Sequence, residues 1–430
     1  MLTLLRTRRF GPLFATQFSG AFNDNLLKTA MLFEITYRLM AGDIAASATL
    51  VTAAAGVFIL PFFLFSGISG QLADAVDKAR VMRGVKLAEL AILTVGGVAL
   101  WLGSIPLLFI VLFAMGCHST VFGPVKYAIL PQHLRDDELL GGTGLVEGGT
   151  FVAILLGQIA GGLLPTLWAG TMMFAVAALG IAVSRLIPPA PPATVGAPID
   201  WNPWKASRAV LDGAFDVRAV WRSTLALSWF WALGAIYTSQ FVPLVKGALA
   251  ASEQVATLLL VVFTIGIAVG SSAVSKLLGG HVSARAAPWA AAAMAAASID
   301  LVFAVGNVHG GAPVGAAAFL RDAGHWRILG DLFVLAVAGG VFSVPLYAIL
   351  QTMGAPAARA RTIAANNIVN AAFQVGGTLL AGFAVARGVP IAMVLGASGA
   401  SALLLWPLLR GLTPDAAAAT HTETAGSETP

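Results

Sequence analysis

Long apolar stretches, separated by turn-forming residues, run through the chain from residue 10 to residue 411. A bilayer core takes about 20 apolar residues per helix, and each stretch is long enough to cross it. We predict membrane-spanning helices over residues 10–37, 46–69, 80–103, 105–130, 142–165, 167–187, 221–249, 254–279, 283–306, 328–352, 358–386 and 389–411. The pattern therefore predicts an all-α membrane protein with twelve transmembrane helices.

The composition excludes a soluble globular enzyme. Of the 430 residues, 58% are hydrophobic and only 10% are charged, and the mean hydropathy is +0.86. Soluble domains carry about 25% charged residues. A lipid-facing surface needs no charges, because helices satisfy their own backbone groups.

Other chemical functions find little support in the sequence. Cys117 is the single cysteine, and the six histidines are scattered, which argues against disulfides and metal clusters. Membrane acyltransferases often carry a histidine followed five positions later by an acid. Here only His133, with Glu138, has that spacing, and it lies in a charged loop. A phosphate-binding GxxxxGK[ST] motif is absent from the sequence. The sequence therefore gives no support for an enzyme or an ATP-driven transporter, and we expect no metal or other cofactor.

The predicted spans form two groups of six around a longer polar segment. We predict an N-terminal bundle over residues 1–187, a linker over 188–220 and a C-terminal bundle over 221–411. The linker opens with a Pro run, which favours an extended spacer. It continues with two tryptophans in a sequence typical of an amphipathic helix at the membrane interface. The tail over 412–430 is rich in Ala, Thr, Glu and Pro, and we expect it to be disordered and cytoplasmic.

The distribution of basic residues predicts the orientation in the membrane. With the N-terminus inside, most of the 25 Lys and Arg residues fall on the inner side of the predicted spans. The positive-inside rule then places both termini in the cytoplasm. Topology and contact with anionic membrane lipids account for the net charge of +5, so we expect no nucleic-acid partner.

An internal repeat relates the two predicted halves. Phe122–Leu130 and Phe342–Leu350 share Phe at their first position and Tyr-Ala-Ile-Leu at their last four. At the same separation, Gly157 aligns with Gly377. Two six-helix halves with parallel similarity are typical of secondary transporters, in which the substrate path runs between the halves.

The segment between the second and third predicted spans reads Gly70-Gln-Leu-Ala-Asp74-Ala-Val-Asp77-Lys78-Ala-Arg80. It resembles the signature loop of the major facilitator superfamily. Gly70 allows two helices to approach closely, and Asp74 can cap a neighbouring helix N-terminus and pair with Lys78 or Arg80. We expect these residues, with Asp77, to form a latch that opens during transport. The alternative is a solvated charged turn.

Two further segments narrow the resemblance. Residues 14–28 (FATQFSGAFNDNLLK) and 124–130 (PVKYAIL) together resemble the lysophospholipid transporters of bacterial inner membranes. The resemblance implies movement of lysophosphatidylethanolamine and related lysolipids from the outer to the inner leaflet, where a separate acyltransferase restores the second chain. We expect a monomer. One departure is that residues 231–240 of the seventh span lack the basic residue that the family carries there.

The first predicted span contains charges near its middle, where one ionised side chain costs about 2.5–3.5 kcal/mol on insertion scales. Asp24 and Lys28 are four residues apart on one face, and Gln17 belongs to the same stripe. One hypothesis is that Asp24 attracts a substrate ammonium or a coupling cation and Lys28 attracts phosphate. The alternative is a self-neutralising pair that fixes helix packing. Asn23 and Asn25 fit either hypothesis.

The eleventh predicted span carries a second polar stripe, and positions in the fifth span align with it in the repeat. Amides and hydroxyls can contact phosphate oxygens and ammonium groups without a charge penalty, or they can join helices by hydrogen bonds. Both roles stay open for Glu147, Thr150, Gln158, Asn366, Asn367, Asn370 and Gln374.

Lys126 and Glu147 lie near one end of the fourth and fifth spans. They predict either a salt bridge that closes the inner gate or a direct contact between Lys126 and phosphate, and Tyr127 adjoins the candidate site. Gly157 and Gly161 form a GxxxG step, which is typical of plain helix packing. Glu34, Glu89, Asp300 and Asp331 are expected nearer helix ends, where hydration is cheap, and are assigned no role.

These patterns predict a flippase for lysophospholipids that works by alternating access, with the acyl chain projecting sideways into lipid. A second hypothesis is a proton-coupled exporter of a soluble amphipathic compound or drug, with Asp24 as the proton site. A third is a receptor or scaffold for an acyltransferase that binds lipid without moving it.

Overall fold

The computed structural model describes residues 2–40, 43–192, 195–308, 314–410 and 412. Within these residues the secondary structure is helical, apart from one isolated bridge between Ala251 and Val314. The tail predicted over 412–430 lies outside the described residues except for its first residue.

Sixteen α-helices are formed by the described residues. They are α1 Gly11–Phe33, α2 Ile44–Ala75, α3 Lys78–Leu102, α4 Ile105–Ala128, α5 Leu130–His133, α6 Asp136–Leu163, α7 Thr166–Ser184, α8 Pro203–Phe215, α9 Arg218–Gly247, α10 Glu253–Leu277, α11 Ala287–Gly306, α12 Ala316–Arg321, α13 Trp326–Thr352, α14 Arg359–Ala386, α15 Ile391–Ala400 and α16 Trp406–Arg410. Short 3₁₀ segments and one π-helical turn, Glu34–Leu39, extend or connect them.

Eleven helical segments of the described chain are long and apolar enough to cross a membrane. α1 is long enough as well but carries the polar stripe, and it is not among the eleven. Adding α1 gives the twelve predicted spans, and the all-α membrane fold is confirmed.

Two predicted boundaries are wrong. α6 begins at Asp136 instead of residue 142, because its acidic first turn, through Glu138, suits the positive end of the helix dipole. α2 continues to Ala75, so Gly70 and Asp74 are helical and are not part of a loop. Only two residues separate α2 from α3.

The chain folds into two compact units. The first unit contains Met1–Asp216 and Gly354–Ala371, and the second contains Val217–Met353 and Ala372–Pro430. The beginning of α14 therefore belongs to the first unit, although the sequence predicted a division within 188–220.

In the first unit, α1 packs tightly against α6. Gly157 and Gly161 face the α1 backbone, and a Cβ atom at Gly161 would approach the carbonyl oxygen of Leu26 to 2.6 Å. The GxxxG step thus serves close helix packing. An apolar core of side chains from α1, α3, α4 and α7 lies beside this contact and includes Leu26, Met31, Leu93, Met115 and Met173.

The linker and α8 are attached to α2, α3 and α5. Asp77 Oδ2 accepts a hydrogen bond from the Ala190 amide at 2.9 Å, and the Ala190 carbonyl accepts one from the Lys78 amide. Gly67 of α2 touches the α8 backbone. Two tryptophans of this region, Trp201 and Trp204, are exposed. The position of α8 at the membrane interface stays a prediction.

In the second unit, α13 packs against α10 through glycines. A Cβ atom at Gly340 would lie 2.6 Å from the carbonyl oxygen of Ile267. The α9 side chain of Tyr237 is buried and donates a hydrogen bond to Ser298 Oγ of α11 at 2.9 Å. These contacts hold the apolar helices of this unit in fixed register.

Candidate functional site

The charged face of α1 is directed at α4 and α2. Asp24 Oδ2 accepts a hydrogen bond of 2.6 Å from Ser119 of α4, whereas Asp24 Oδ1 has no hydrogen-bond partner among the described residues. Lys28 Nζ lies over the ring of Phe58 in α2, 4.3 Å from its centroid. In the described part of the chain no carboxylate oxygen comes within 4.0 Å of that ammonium, so Asp24 and Lys28 do not form a direct ion pair.

A second charged group joins α4 to α6. Tyr127 donates a hydrogen bond to Glu147 Oε1, and the fully buried Glu147 leaves Oε2 without a hydrogen-bond partner in the described chain. Lys126 Nζ lies 4.7 Å from the Tyr127 ring centroid, and its charge interacts with the carboxylates of Glu147 and Asp24. The hydrogen bond to Glu147 thus comes from Tyr127, and the predicted Lys126–Glu147 salt bridge is not formed.

Gln17 extends this polar region along α1. Its Oε1 accepts a hydrogen bond of 3.0 Å from Thr150 of α6, and its Nε2 is buried without a partner among the described side chains and backbone. Gln158, half-buried on α6, likewise keeps an unpartnered acceptor oxygen. Both amides therefore retain hydrogen-bonding capacity.

The polar stripe of α14 is divided between the two units. Asn366 is fully buried, and neither atom of its amide has a described partner. Asn367 approaches Gly123 of α4 so closely that a Cβ atom there would lie 2.9 Å from Asn367 Nδ2. Asn370 is buried in the same unit, whereas Gln374 is half-buried in the second unit.

Asn23 and Asn25 point away from Asp24. Asn23 Nδ2 donates to Glu89 Oε1 at 2.9 Å and faces α3 and α7. Asn25 Nδ2 donates to the Ala21 carbonyl at 2.8 Å, and its Cβ packs near Gly157. Because successive helical residues turn by about 100°, neighbours of Asp24 in sequence lie on other faces.

The structure buries a charge cluster that the sequence interpretation missed. Lys86 and Glu89 lie in the first half of α3, fully buried, with Lys86 Nζ 2.5 Å from Glu89 Oε2. His118 Nε2 of α4 lies 3.3 Å from the same oxygen, and Asn23 Nδ2 donates a hydrogen bond to Glu89 Oε1. Glu89 is therefore not near a hydrated helix end. The i,i+3 spacing of Lys86 and Glu89 in an apolar span was the signal that could have identified the pair.

Asp74 caps the beginning of α14. Its two oxygens accept hydrogen bonds from the Ala360 and Arg361 amides at 3.0 and 3.1 Å, and Arg361 Nε lies 3.2 Å from Oδ2. Capping of a neighbouring helix matches the expectation. The described cation within 4.0 Å of Asp74 is Arg361, whereas Lys78 interacts with Asp74 only through longer-range electrostatics. Lys78 and Arg80 begin α3, which Asp77 caps through the Arg80 amide.

Gly70 forms a second contact between α2 and α14. A Cβ atom at Gly70 would lie 2.6 Å from Ala364 Cβ and 2.9 Å from Arg361 Cα. Only glycine allows α2 and α14 to approach so closely. Gly70 and Asp74 thus hold the beginning of α14 against α2.

A further ion pair fixes the segment before α1. Arg9 donates two hydrogen bonds to the Glu138 carboxylate at the start of α6, at 2.5 and 2.6 Å. These hydrogen bonds raise the pKa of the Arg9 guanidinium above its ordinary value, so it stays charged. The pair joins the starts of α1 and α6.

The second unit contains an apolar cleft between α9, α14 and α15. Its volume is about 650 Å³, and its walls include Trp229, Ile236, Phe373, Leu380 and Met393. Trp229 Nε1 is satisfied by Ser401 Oγ at 2.8 Å. Such a lining suits hydrocarbon and not a charged group.

The sequence is similar to characterised transporter families. The family model of the Major Facilitator Superfamily matches residues 13–324. Lysophospholipid transporter LplT of Citrobacter koseri is 30% identical over 406 residues, covering 91% of this chain and 92% of the relative. Lysophospholipid transporter LplT of Pectobacterium carotovorum is 29% identical over 363 residues, covering 82% and 80%.

Solved structures share the fold at low sequence identity. The human organic anion transporter MFSD10 superposes with a TM-score of 0.73 at 16% identity, covering 94% of this chain and 99% of that one. The transporter FucP in its outward conformation gives a TM-score of 0.70 at 11% identity, covering 94% and 98%. The family-model match and the 30% identity to the Citrobacter koseri relative show that the chain belongs to the Major Facilitator Superfamily and, within it, to the family of the LplT relatives.

Proposed function

We propose that this chain transports lysophospholipids, moving lysophosphatidylethanolamine and related lysolipids from the outer to the inner leaflet of a bacterial inner membrane. The name shared by its relatives supports this substrate class. The proposal is carried by the unsatisfied charged groups of the first unit. Asp24 and Glu147 each keep one carboxylate oxygen without a partner among the described residues, and the ammonium groups of Lys28 and Lys126 rest on aromatic rings.

Such a set of groups suits a zwitterionic lipid head. The ammonium of ethanolamine can donate hydrogen bonds to Asp24 Oδ1 or Glu147 Oε2, and the phosphate can accept them from Lys28 or Lys126. Buried polar atoms without partners are uncommon because each costs about 1–3 kcal/mol. A substrate that supplies the missing partners therefore binds with a gain in free energy.

Uncharged groups complete the proposed site. The amides of Gln17, Asn366 and Asn367 can each donate and accept hydrogen bonds, and Gln17 and Asn366 keep unpartnered atoms in the described structure. We include Tyr127, Gln158, Asn370 and Gln374 as further candidates for contact with the head. Asn23 and Asn25, which face other helices, belong to the support of α1 instead.

We propose alternating access as the mechanism and assign the latch to Gly70, Asp74, Asp77, Lys78 and Arg80. The hydrogen bonds from the α14 amides to Asp74 are local and can break and re-form without unfolding a helix. A charged cap of this kind is stable enough to hold one state but weak enough to release it, at about 0.5–2 kcal/mol.

We also propose an orientation in the membrane and an oligomeric state. Both termini lie in the cytoplasm, the chain works as a monomer, and it acts as a transporter and not as an enzyme. A lysolipid delivered to the inner leaflet lacks one acyl chain, so a separate acyltransferase would consume it.

The test is leaflet transfer of acyl-labelled lysophosphatidylethanolamine in proteoliposomes, with albumin extracting the label that remains outside. We expect Asp24→Asn and Lys28→Ala to slow transfer at least about tenfold, because hydrogen bonds to charged groups contribute about 1.5–3 kcal/mol. Asp137→Asn changes an exposed acid in the same way and serves as the matched control.

Four other outcomes would contradict or redirect the proposal. Unchanged transfer in both variants contradicts the site, and no transfer by the unaltered protein contradicts the function. A strict need for a pH gradient without any response to lysolipid favours the proton-coupled exporter, and lipid binding without transfer favours the scaffold.

A further inference from the structure

A second apolar cleft lies in the second unit, between α10, α11 and α13. Its volume is about 750 Å³, which is within the range of about 300–1,000 Å³ that holds small-molecule ligands. Among the described residues that line it, all are apolar except Arg285. The cleft therefore combines hydrocarbon walls with a single basic side chain.

The sequence of α11 explains why the cleft is open. Its wall is formed by Ala290 and Ala293, with Ala286 directly before the helix, and this spacing puts the three methyl groups on one face. Phe333 and Val337 belong to the wall that α13 contributes. Methyl side chains on one wall leave space that larger side chains would fill. Because helices and not a loop form both walls, the cleft has a defined shape.

Arg285 lies in the 3₁₀ turn before α11, at the end of the cleft where α10 and α11 meet. Its side chain is exposed, and no acidic oxygen of the described chain lies within 4.0 Å of its guanidinium. Residues 254–299 include no Asp or Glu. Asp300 lies about 20 Å from the start of α11 and accepts a hydrogen bond from Arg327. Arg285 can therefore pair with an anion from outside the chain.

Two tryptophans lie at the same end of the cleft. Trp289 lines it, is 72% exposed, and has its ring centroid 5.7 Å from that of Trp406 in α16. The guanidinium carbon of Arg410 lies 5.2 Å from the Trp406 ring centroid and adds a second positive charge. Tryptophans are enriched where the hydrocarbon core of a bilayer meets the headgroups. This end of the cleft therefore suits a phosphate, and the remainder suits an acyl chain.

We propose that this cleft binds one anionic diacyl phospholipid of the bilayer, with its phosphate on the Arg285 guanidinium and one acyl chain along the apolar walls. An arginine can donate two parallel hydrogen bonds to a phosphate, and basic pockets between transmembrane helices on the cytoplasmic side bind anionic lipid heads. The predicted orientation places Arg285 on that side. The inference does not depend on the transported substrate, since it uses other residues and lies within the second unit.

The test is native mass spectrometry of the full-length protein in detergent, titrated with dioleoyl-phosphatidylglycerol or dioleoyl-phosphatidylethanolamine. The ethanolamine lipid carries its own ammonium, which weakens the attraction of its phosphate to arginine. We expect the unaltered protein to bind the glycerol lipid about tenfold more tightly. Arg285→Gln should reduce this difference to within about twofold, because it removes the charge-assisted hydrogen bonds to phosphate.

Arg321 provides the matched control for the charge. It is an exposed arginine at the end of α12 in the same unit and does not line the cleft. We expect Arg321→Gln to leave the preference for the glycerol lipid unchanged. An equal loss in Arg321→Gln would overturn the site, because binding would then follow the net charge of the protein.

Ala293→Phe tests the place of the acyl chain. The added ring fills part of the cleft, and we expect about tenfold weaker binding of phosphatidylglycerol, the effect of excluding about two methylene groups. Ala292→Phe adds the same ring at a half-buried position that does not line the cleft, and binding should stay within about twofold. An equal loss in Ala292→Phe would overturn the placement of the chain.

The inference fails if the unaltered protein binds both lipids equally, or if either Arg285→Gln or Ala293→Phe binds phosphatidylglycerol as the unaltered protein does. Lysolipid transfer in proteoliposomes tests the proposed function separately, so failure of one leaves the other standing.

Discussion

Two groups of charges inside the first unit differ in how completely their carboxylates are satisfied. Glu89 has partners on both oxygens, with Asn23 on one and Lys86 and His118 on the other. Within the described part of the chain, Asp24 and Glu147 are each hydrogen-bonded through one oxygen only. Glu89 and Glu147 are both fully buried, so burial of the carboxylate does not by itself distinguish the two groups.

The difference separates a structural role from a binding role. The Glu89 carboxylate ties α1, α3 and α4 together and keeps no open oxygen for a ligand. The open atoms of this cluster among the described residues are Asn23 Oδ1 and the two ring nitrogens of His118. A buried carboxylate with an open oxygen keeps a cost that a ligand can relieve. We therefore expect loss of Glu89 to affect stability, and loss of Asp24 or Glu147 to affect transport.

The largest effect is expected from breaking the buried Lys86–Glu89 ion pair. Glu89→Gln leaves Lys86 buried without its anion, which should destabilise the protein by about 3–5 kcal/mol and lower its thermal unfolding temperature in detergent. The double variant Lys86→Met with Glu89→Leu removes both charges and should recover most of that stability. Equal stability of Glu89→Gln and the unaltered protein would contradict a structural role for the cluster.

The next effect should appear in transport without a comparable loss of stability. Glu147→Gln keeps an acceptor for the Tyr127 hydroxyl but removes the charge, so we expect lysolipid transfer to fall about tenfold. The thermal unfolding temperature, measured on the same preparation, should change far less than in Glu89→Gln. A large fall in unfolding temperature with normal transfer would reverse the two assignments.

A smaller effect concerns the cap on α14. Asp74→Ala removes the acceptor for two backbone amides, which should cost about 1 kcal/mol and speed hydrogen exchange at Ala360 and Arg361. Asp77→Ala removes the equivalent cap from α3 and is the matched control, with faster exchange confined to the start of that helix. Unchanged exchange at residues 360 and 361 would contradict the capping role of Asp74.

The smallest expected effect concerns Gln17. The question is whether it contacts substrate, as proposed for Asp24 and Glu147, or supports the structure, as proposed for Glu89. Thr150→Val removes the hydrogen bond to Gln17 Oε1 and should cost about 0.5 kcal/mol. If Gln17 contacts substrate, its amide is freed and transfer should stay within about twofold. A loss as large as that of Glu147→Gln would place Thr150 itself in the site.

The sequence was sufficient for the fold because each apolar span is specified locally by its length and composition. It also allowed Asp24, Lys28 and Glu147 to be chosen as candidate site residues, because charges stand out in such spans, and their role stays a prediction. It could not show that Tyr127 satisfies Glu147, because that contact depends on how α4 and α6 pack. The sequence could not show that Arg361 pairs with Asp74 either, because the two residues are far apart along the chain and meet only when α2 and α14 pack.

The two errors have different causes. The predicted span 80–103 matches α3 closely, so the depth of Glu89 within it could have been inferred from the sequence, but its burial depends on the packing of α1 and α4 against α3. Asn23 and Asn25 were grouped with Asp24 by proximity in sequence, although the helical turn separates their directions. Helical phase was a better guide than adjacency.

The hydrogen bonds along the linker limit its slack as a tether. Ala190 is bound to the start of α3, Gln132 donates to the Pro191 carbonyl at 3.0 Å, and the Asp200 amide donates to Gln71 at 2.7 Å. With α8 packed on α2 as well, the described parts of residues 188–215 are anchored by contacts inside the first unit. Lengthening the Pro run should therefore leave the anchoring of α8 on α2 unchanged.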